Sequence, residues 1–333
     1  MADNMAGRRV RGVDRVLSKL ESAVTAGNYY EAHQMYRTLY FRYLTQKNYS
    51  KLLTMLEDGA KLLLQNNQQA SGADLAILLV DVLVKSETQP SDHYFTKIAK
   101  LFAMVCRETP ERENFLAAAL RWSTTGCEQH KTGHPSLHQA IAQVFWKEKN
   151  YVLARYHFLR STDGSGFATM LIELHKTRGY ACEIDLFIAQ VVLQYLCLHN
   201  KRTATVAFQS YTSQHPNIDK GPPYILPLLN FIWFLLKVIE SGKLAAFNIL
   251  CKQYQQSIER DPAYVEYLDK IAQIFFGVNP PRPQNPNGFF GDIFQSLMNG
   301  VGDEYDSDDD DEPSHTPRPS TSSQLRMETE ALD

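Results

Sequence analysis

The feature that most constrains this chain is a helical period that returns repeatedly between short turns. Val13, Val16, Leu17, Leu20 and Val24 fall on one stripe of a 3.6-residue period, and Gly27-Asn28 ends it. The same reading predicts helices from about Tyr29 to Gln46 and near 49–64, 72–86, 91–105, 110–123, 135–147, 151–160, 166–178, 182–198, 202–214, 225–240, 244–258 and 263–276, about fourteen in all. Thr88-Gln89-Pro90-Ser91, Glu108-Thr109-Pro110, Gly133-His134-Pro135 and Asp261-Pro262 punctuate them. A proline at a first helical position forfeits nothing, because that N–H has no intrahelical acceptor. No strand pair joined by an Asn-Gly turn stands out in the body, so the fold class expected is all-α.

A faint repeat says how the helices stack. Asn28-Tyr29-x2-Ala32-x3-Tyr36 returns as Asn150-Tyr151-x2-Ala154-x3-Phe158, with a weaker copy at Asn48-Tyr49-x2-Leu52-x3-Leu56. A small residue with an aromatic one turn to either side lets a neighbouring helix come close while the rings fill the groove. The arrangement resembles the tetratricopeptide hairpin, although the spacing drifts from that unit's fixed period. The expectation is a right-handed α-solenoid of stacked helical hairpins over residues 11–276, preceded by a flexible basic stretch at 1–10. Such stacks expose long concave surfaces suited to binding other proteins. Residues 277–300 read as a proline-rich linker followed by a short amphipathic segment, in which Phe290, Ile293, Phe294 and Leu297 keep helical spacing. Residues 301–333 read as a disordered acidic tail rich in Ser, Thr and Pro.

Charge divides the chain. From Asp303 onward there are eleven acidic residues against Arg318 and Arg326; removing these from totals of 37 acidic and 34 basic leaves 26 and 32, so the body carries a surplus of six positive charges. A mildly basic body with an acidic tail points to protein partners of mixed sign. A dedicated nucleic-acid binder would be far more basic, with its charge on one face. Five scattered cysteines without a CxxC pair read as reduced thiols of a cytosolic protein. The opening residues lack the apolar run of a secretory signal, and Ala2 offers no glycine for myristoylation. Tyr224 to Ile239 is the one membrane-like stretch, but Pro227, Asn230 and Lys237 interrupt it and it falls short of the roughly 20 apolar residues needed to cross a bilayer. It reads as a helix buried on nearly all sides.

Motifs for catalysis are missing: the phosphate loop, the dinucleotide fingerprint, HExxH and GxSxG all fail to appear. The expectation is a non-enzymatic chain without a cofactor. Cys127, His130, His134 and His138 offer four potential zinc ligands, but Gly133 and Pro135 break any helix that would align them and the spacing matches no closed zinc site. His33 and His157 read as packing histidines within helices. Arg8, Arg11, Arg15 and Lys19 are spaced by three or four residues and share one helix face, which Arg37 and Arg42 on the next helix could extend toward an acidic partner. Ser307, set among aspartates, matches the substrate pattern of an acidophilic kinase.

Several segments then resemble a known family. Tyr29-Tyr30-Glu31-Ala32-His33-Gln34-Met35-Tyr36-Arg37-Thr38-Leu39, Gly133-His134-Pro135-Ser136-Leu137-His138, Gly221-Pro222-Pro223-Tyr224, Pro227-Leu228-Leu229-Asn230-Phe231-Ile232-Trp233-Phe234 and Glu266-Tyr267-Leu268-Asp269 look like the Golgi-to-ER traffic protein 4 family. This is the helical scaffold subunit of the guided-entry pathway for tail-anchored proteins. The similarity is collinear over roughly residues 10–300. It implies a cytosolic, non-enzymatic adaptor in the delivery of tail-anchored membrane proteins to the endoplasmic reticulum, with a link to quality control of mislocalised hydrophobic proteins. Its N-terminal half would dock the targeting ATPase; its C-terminal half would hold a ubiquitin-like-domain protein and a BAG-domain chaperone, without nucleic acid or membrane insertion. By position, Arg11, Arg15, Lys19, Arg37 and Arg42 are expected to face the ATPase. Tyr211, Pro222, Pro223, Tyr224, Phe231, Trp233 and Phe234 are expected to face the ubiquitin-like or chaperone partner. The alternative is a generic tetratricopeptide-like co-chaperone that clamps chaperone C-terminal peptides with converging Lys, Arg and Asn side chains.

Overall fold

The structure, a computed structural model of the chain, describes residues 2–126 and 131–279, with side chains from Gly12 onward. The linker beyond Asn279, the amphipathic segment, the Ser307 tail, Cys127, His130 and the side chains of Arg8 and Arg11 lie outside the described residues. Fifteen α-helices and no strand occur among those described. They are α1 (Ala2–Thr25), α2 (Tyr29–Thr45), α3 (Tyr49–Gln65), α4 (Gln69–Lys85), α5 (Asp92–Met104), α6 (Glu111–Ser123), α7 (Pro135–Lys147) and α8 (Tyr151–Phe158). The series continues with α9 (Gly164–Arg178), α10 (Ile184–Cys197), α11 (Lys201–Gln214), α12 (Pro227–Ser241), α13 (Leu244–Gln253), α14 (Gln255–Ile258) and α15 (Ala263–Phe276).

One turn is used again and again. Gly27, Lys47, Asn67, Glu87, Lys149 and His199 each hold a positive φ just past a helix end. The next residue's N–H reaches back to the carbonyl five residues earlier: Asn28 to Ala23, Asn48 to Tyr43, Gln68 to Leu63, Thr88 to Leu83, Asn150 to Phe145 and Asn200 to Tyr195, at 2.8–3.0 Å. This is the Schellman arrangement, which satisfies carbonyls that a helix end would otherwise leave bare. Where the next helix starts at once, the residue after the left-handed one is its N-cap, and its carbonyl takes the N–H of Ala32, Leu52, Gly72, Ala154 or Ala204. Ala32, Leu52, Ala154 and Ala204, together with Tyr36, Leu56, Phe158 and Phe208 one turn on, are buried. The sequence repeat is therefore a turn followed by two inward positions.

Packing follows the solenoid rule through most of the chain. Most helices meet a chain neighbour, the pairs α4–α5 and α6–α7 being exceptions, and α2 with α4, α3 with α5, α4 with α6, α5 with α7 and α9 with α11 add the next layer. Gly59 marks one close approach, because a Cβ there would stand 2.6 Å from the Tyr36 ring. Two departures follow. First, α6 and α8 do not close as α2, α4 and α6 do, and a groove remains between them. Second, α15 folds back onto α10. There Arg260 donates to the fully buried Asp185 at 2.6 Å and to the Cys182 carbonyl at 2.9 Å, and Gln194 donates to the Tyr267 hydroxyl at 3.0 Å.

The structure differs from the periodicity at both ends. α1 begins at Ala2, ahead of the apolar period that starts at Val13. The helix expected over 244–258 breaks at Tyr254 into α13 and α14. α12 buries Leu228, Leu229, Phe231, Ile232, Leu235, Leu236 and Ile239, yet turns Phe234, Lys237 and Ser241 outward, so it is buried on one face and not on nearly all sides. Among the described residues no helix is long and apolar enough to cross a membrane.

Candidate docking surfaces

Near the N-terminal end, α2 is anchored on two sides and bare on a third. His33 and Arg37 both reach one Asp74 oxygen on α4, at 2.8 and 3.4 Å. Two turns on, the Tyr40 hydroxyl donates to Asp81 while Lys85 donates to Tyr40 at 2.8 Å and pairs with Asp81 at 2.7 Å. Burial and the Asp81 carboxylate push the Tyr40 phenol up, and Asp81 holds the Lys85 ammonium up as well. Arg42 points the other way and donates to the Gly12 carbonyl, fastening α2 to α1. The remaining face of α2 carries Tyr30, Gln34, Arg37 and Phe41 at i, i+4, i+7 and i+11. Tyr30 and Phe41 are 78% and 59% exposed. Arg15 and Lys19 are exposed on α1.

This arrangement corrects the expected basic stripe. Arg15, Lys19 and Arg37 are available, but Arg42 is spent on packing and Asp74 offsets Arg37. The surface is an aromatic pair set in mixed charge. Sequence reading missed Tyr30 and Phe41; the signal was present, because both fall opposite the buried Ala32, Tyr36, Leu39 and Tyr43 stripe.

Near the C-terminal end, a pocket of about 320 Å³ opens between α11 and α12. Phe208, Pro222, Tyr224, Trp233 and Leu236 line it, with Lys237 and Glu240 at its edge. Asn230 holds the Tyr224 backbone from both sides, accepting its N–H at 2.8 Å and donating to its carbonyl at 2.7 Å. The Tyr224 ring meets Phe208 edge-on at 5.9 Å, which fixes the wall of the pocket. Pro223 is exposed, and Ile225 beside it is 79% exposed. Phe234 packs against Trp233 at 4.6 Å and faces outward.

Two of the expected contact residues are not on the surface. Tyr211 is fully buried, its hydroxyl donating to the Ile184 carbonyl at 2.9 Å, and Phe231 is buried beside Tyr254. Spacing gives the reason: Tyr211 continues the inward stripe Ala204, Ala207, Phe208, and Phe231 the stripe Leu228, Ile232, Leu235. Pro222, Tyr224 and Trp233 do converge.

The histidines of the candidate zinc set serve packing where they are described. His134 caps α7, its Nδ1 accepting from the Ser136 N–H at 3.2 Å. His138 meets His157 at 2.8 Å and the Thr132 carbonyl at 3.2 Å. Among the described residues no three His, Cys, Asp or Glu side chains stand close enough to hold a metal ion.

Comparison with known proteins bears on what these surfaces do. The model of the Golgi to ER traffic protein 4 family matches residues 46–298. A Golgi to ER traffic protein 4 homolog from Oryzias latipes is 51% identical over 295 residues, covering 89% of this chain and 90% of that one. The Homo sapiens homolog is 48% identical over 308 residues, covering 92% and 93%. Among solved structures, a crystal structure of Get4 from C. therm. superposes with a TM-score of 0.73 at 26% identity, covering 89% of this chain and all of that one.

Proposed function

The chain belongs to the Golgi to ER traffic protein 4 family, and from that premise we propose that it is a cytosolic, non-enzymatic scaffold in the delivery of tail-anchored membrane proteins to the endoplasmic reticulum. It bridges the targeting ATPase, docked near the N-terminal end, to a ubiquitin-like-domain protein and a BAG-domain chaperone held near the C-terminal end. Through the chaperone it connects to quality control of mislocalised hydrophobic proteins.

The observation that carries this reading is the pair of exposed aromatic surfaces on one helical stack: Tyr30 and Phe41 on α2, and the pocket formed by Pro222, Tyr224 and Trp233. Aromatic anchors with a polar rim are what partner-binding surfaces concentrate. The first rests on hydrogen bonds from α2 to α4 and the second on the Asn230 bonds to the Tyr224 backbone, so each is held in shape before a partner arrives. Exposed Arg15, Lys19 and Arg37 around the first surface favour an acidic face on the ATPase, with an on-rate that falls as salt rises.

The test is affinity capture of the three partners by purified full-length variants. Tyr30→Ala with Arg37→Glu is expected to reduce ATPase capture at least tenfold and leave the ubiquitin-like partner bound. Trp233→Ala is expected to do the converse. Unchanged capture in both variants would sink the assignment of these two surfaces.

A further inference from the structure

α8 turns one side out of the stack, and that side shares no residue with either surface above. Tyr151, Ala154, His157 and Phe158 are buried, so Val152 and Tyr156, about one turn apart, project from the opposite side. Val152 is 80% exposed and Tyr156 45%. On a 3.6-residue period Arg155 borders Val152 on the edge away from Leu153. Arg160, in the turn just past α8, folds back over Tyr156. Its Nη1 donates to the Tyr156 carbonyl at 3.0 Å, and its guanidinium stands 3.6 Å from the centre of the Tyr156 ring.

The cations around this side lack counter-ions. Among the described residues Arg155, Arg160 and Arg178 pair with no carboxylate, because the acids nearest α8 in the chain are engaged elsewhere. Glu148 takes Arg107 and Arg112, and Glu173 takes Lys149 and the Tyr151 hydroxyl. Asp163 caps α9 by accepting the Gly166 N–H at 2.7 Å, and on α10 Asp185 takes Arg260. Arg155 donates to the side-chain oxygen of Gln194 at 3.1 Å, a neutral amide that leaves its charge uncompensated. Burial pulls that guanidinium below the usual arginine range, opposed by the Tyr267 and Tyr264 phenols of α15. Arg178 is exposed and stands 5.2 Å from the Tyr151 ring, at the start of α8.

We infer that the outer side of α8 docks an acidic segment of a partner protein, which seats one bulky apolar side chain on Val152 and Tyr156 and carboxylates on Arg155 and Arg160. Charge complementarity selects this occupant: an apolar pair is bordered on both edges by arginines without acids. Arg160 is held flat against Tyr156 before binding, and the free edge of its guanidinium is the fork that a carboxylate fits with two hydrogen bonds. Arg155 gains the counter-ion that its burial lacks. A lipid surface suits this side poorly, because α8 has eight residues and projects two apolar side chains, whereas an interfacial helix buries a whole apolar face.

The experiment measures fluorescence anisotropy on the full-length chain with a labelled peptide of aspartates and glutamates around one phenylalanine. Two control peptides replace the acids by their amides or the phenylalanine by serine. The acidic phenylalanine peptide is expected to bind at least tenfold more tightly than either control, and more weakly as salt rises. Val152→Asp, at a fully solvated position, and Arg160→Gln are each expected to weaken it at least tenfold with an unchanged circular-dichroism spectrum. Arg15→Glu, on the exposed basic side of α1, is expected to leave it unchanged. No binding, equal binding of the controls, or binding lost in Arg15→Glu and kept in Val152→Asp overturns the inference. So does tighter binding of polyuridine or of phosphatidylserine vesicles through Val152 and Arg160.

Discussion

His157 and His138 are paired in a way that fixes where each proton sits. The Thr132 carbonyl can only accept, so it takes the Nε2–H of His138, whose Nδ1 then accepts from the Nδ1–H of His157. His175 and His215 repeat the arrangement: the Tyr180 carbonyl takes His175 Nε2–H, His175 Nδ1 accepts from His215, and His215 Nδ1 accepts from the Asn217 N–H. Burial and the neighbouring His138 and Arg160 depress the His157 pKa to about 3, and burial with His175 and Lys176 depresses that of His215 to about 4. Because the folded pKa lies below the unfolded one, the stabilisation is complete above about pH 6.5 and is lost as pH falls from there toward the folded values. His157 alone should remove about 1 kcal/mol of stability between pH 7 and pH 5.5. Urea midpoints across that range check this, and His157→Phe should flatten the slope; an equal slope in the variant would show that His157 is not responsible. Only half of this was visible beforehand. A histidine at an inward helix position reads as packing, but its partner, 19 or 40 residues away, depends on how helices stack.

At the scale of elements, the repeated turn was legible and its purpose was not. Asn28, Asn48 and Asn150 flag helix starts, yet the left-handed residue before each is Gly27, Lys47 or Lys149, so side-chain chemistry alone does not announce the Schellman bond. The inward stripes of α11 and α12 were equally legible, and counting them would have placed Tyr211 and Phe231 in the core. What no local pattern foretells is the return of α15 to α10, since the contacts joining them lie more than 70 residues apart in the chain. That joint depends on a buried carboxylate with one donor. Asp185 is fully buried and its Oδ1 has no partner among the described residues, so Arg260 carries its compensation. Arg260→Met, which removes the charge and keeps the stem, should cost about 3–5 kcal/mol, as stranded buried charges do. Denaturant unfolding measures it, and a loss below about 1 kcal/mol would mean the ion pair is surface-like.

On the scale of the whole molecule, the two proposed docking surfaces share no residues and no supporting helices. The α2 face depends on α1 and α4; the pocket depends on α11 and α12. Each therefore keeps its shape when the other is occupied, and binding at one end should leave affinity at the other unchanged. The sequence made the fold class legible, because the helical period recurs between short turns along the chain. It could not show which basic and aromatic residues reach the surface, because a helix face is set by its neighbours. The central claim is tested most directly by mixing purified full-length chain, targeting ATPase and ubiquitin-like protein and measuring the mass of the complex by light scattering after size exclusion. The account predicts one species containing all three, with each partner's dissociation constant unaffected by the other. Mutually exclusive binary complexes, each partner displacing the other, would contradict it.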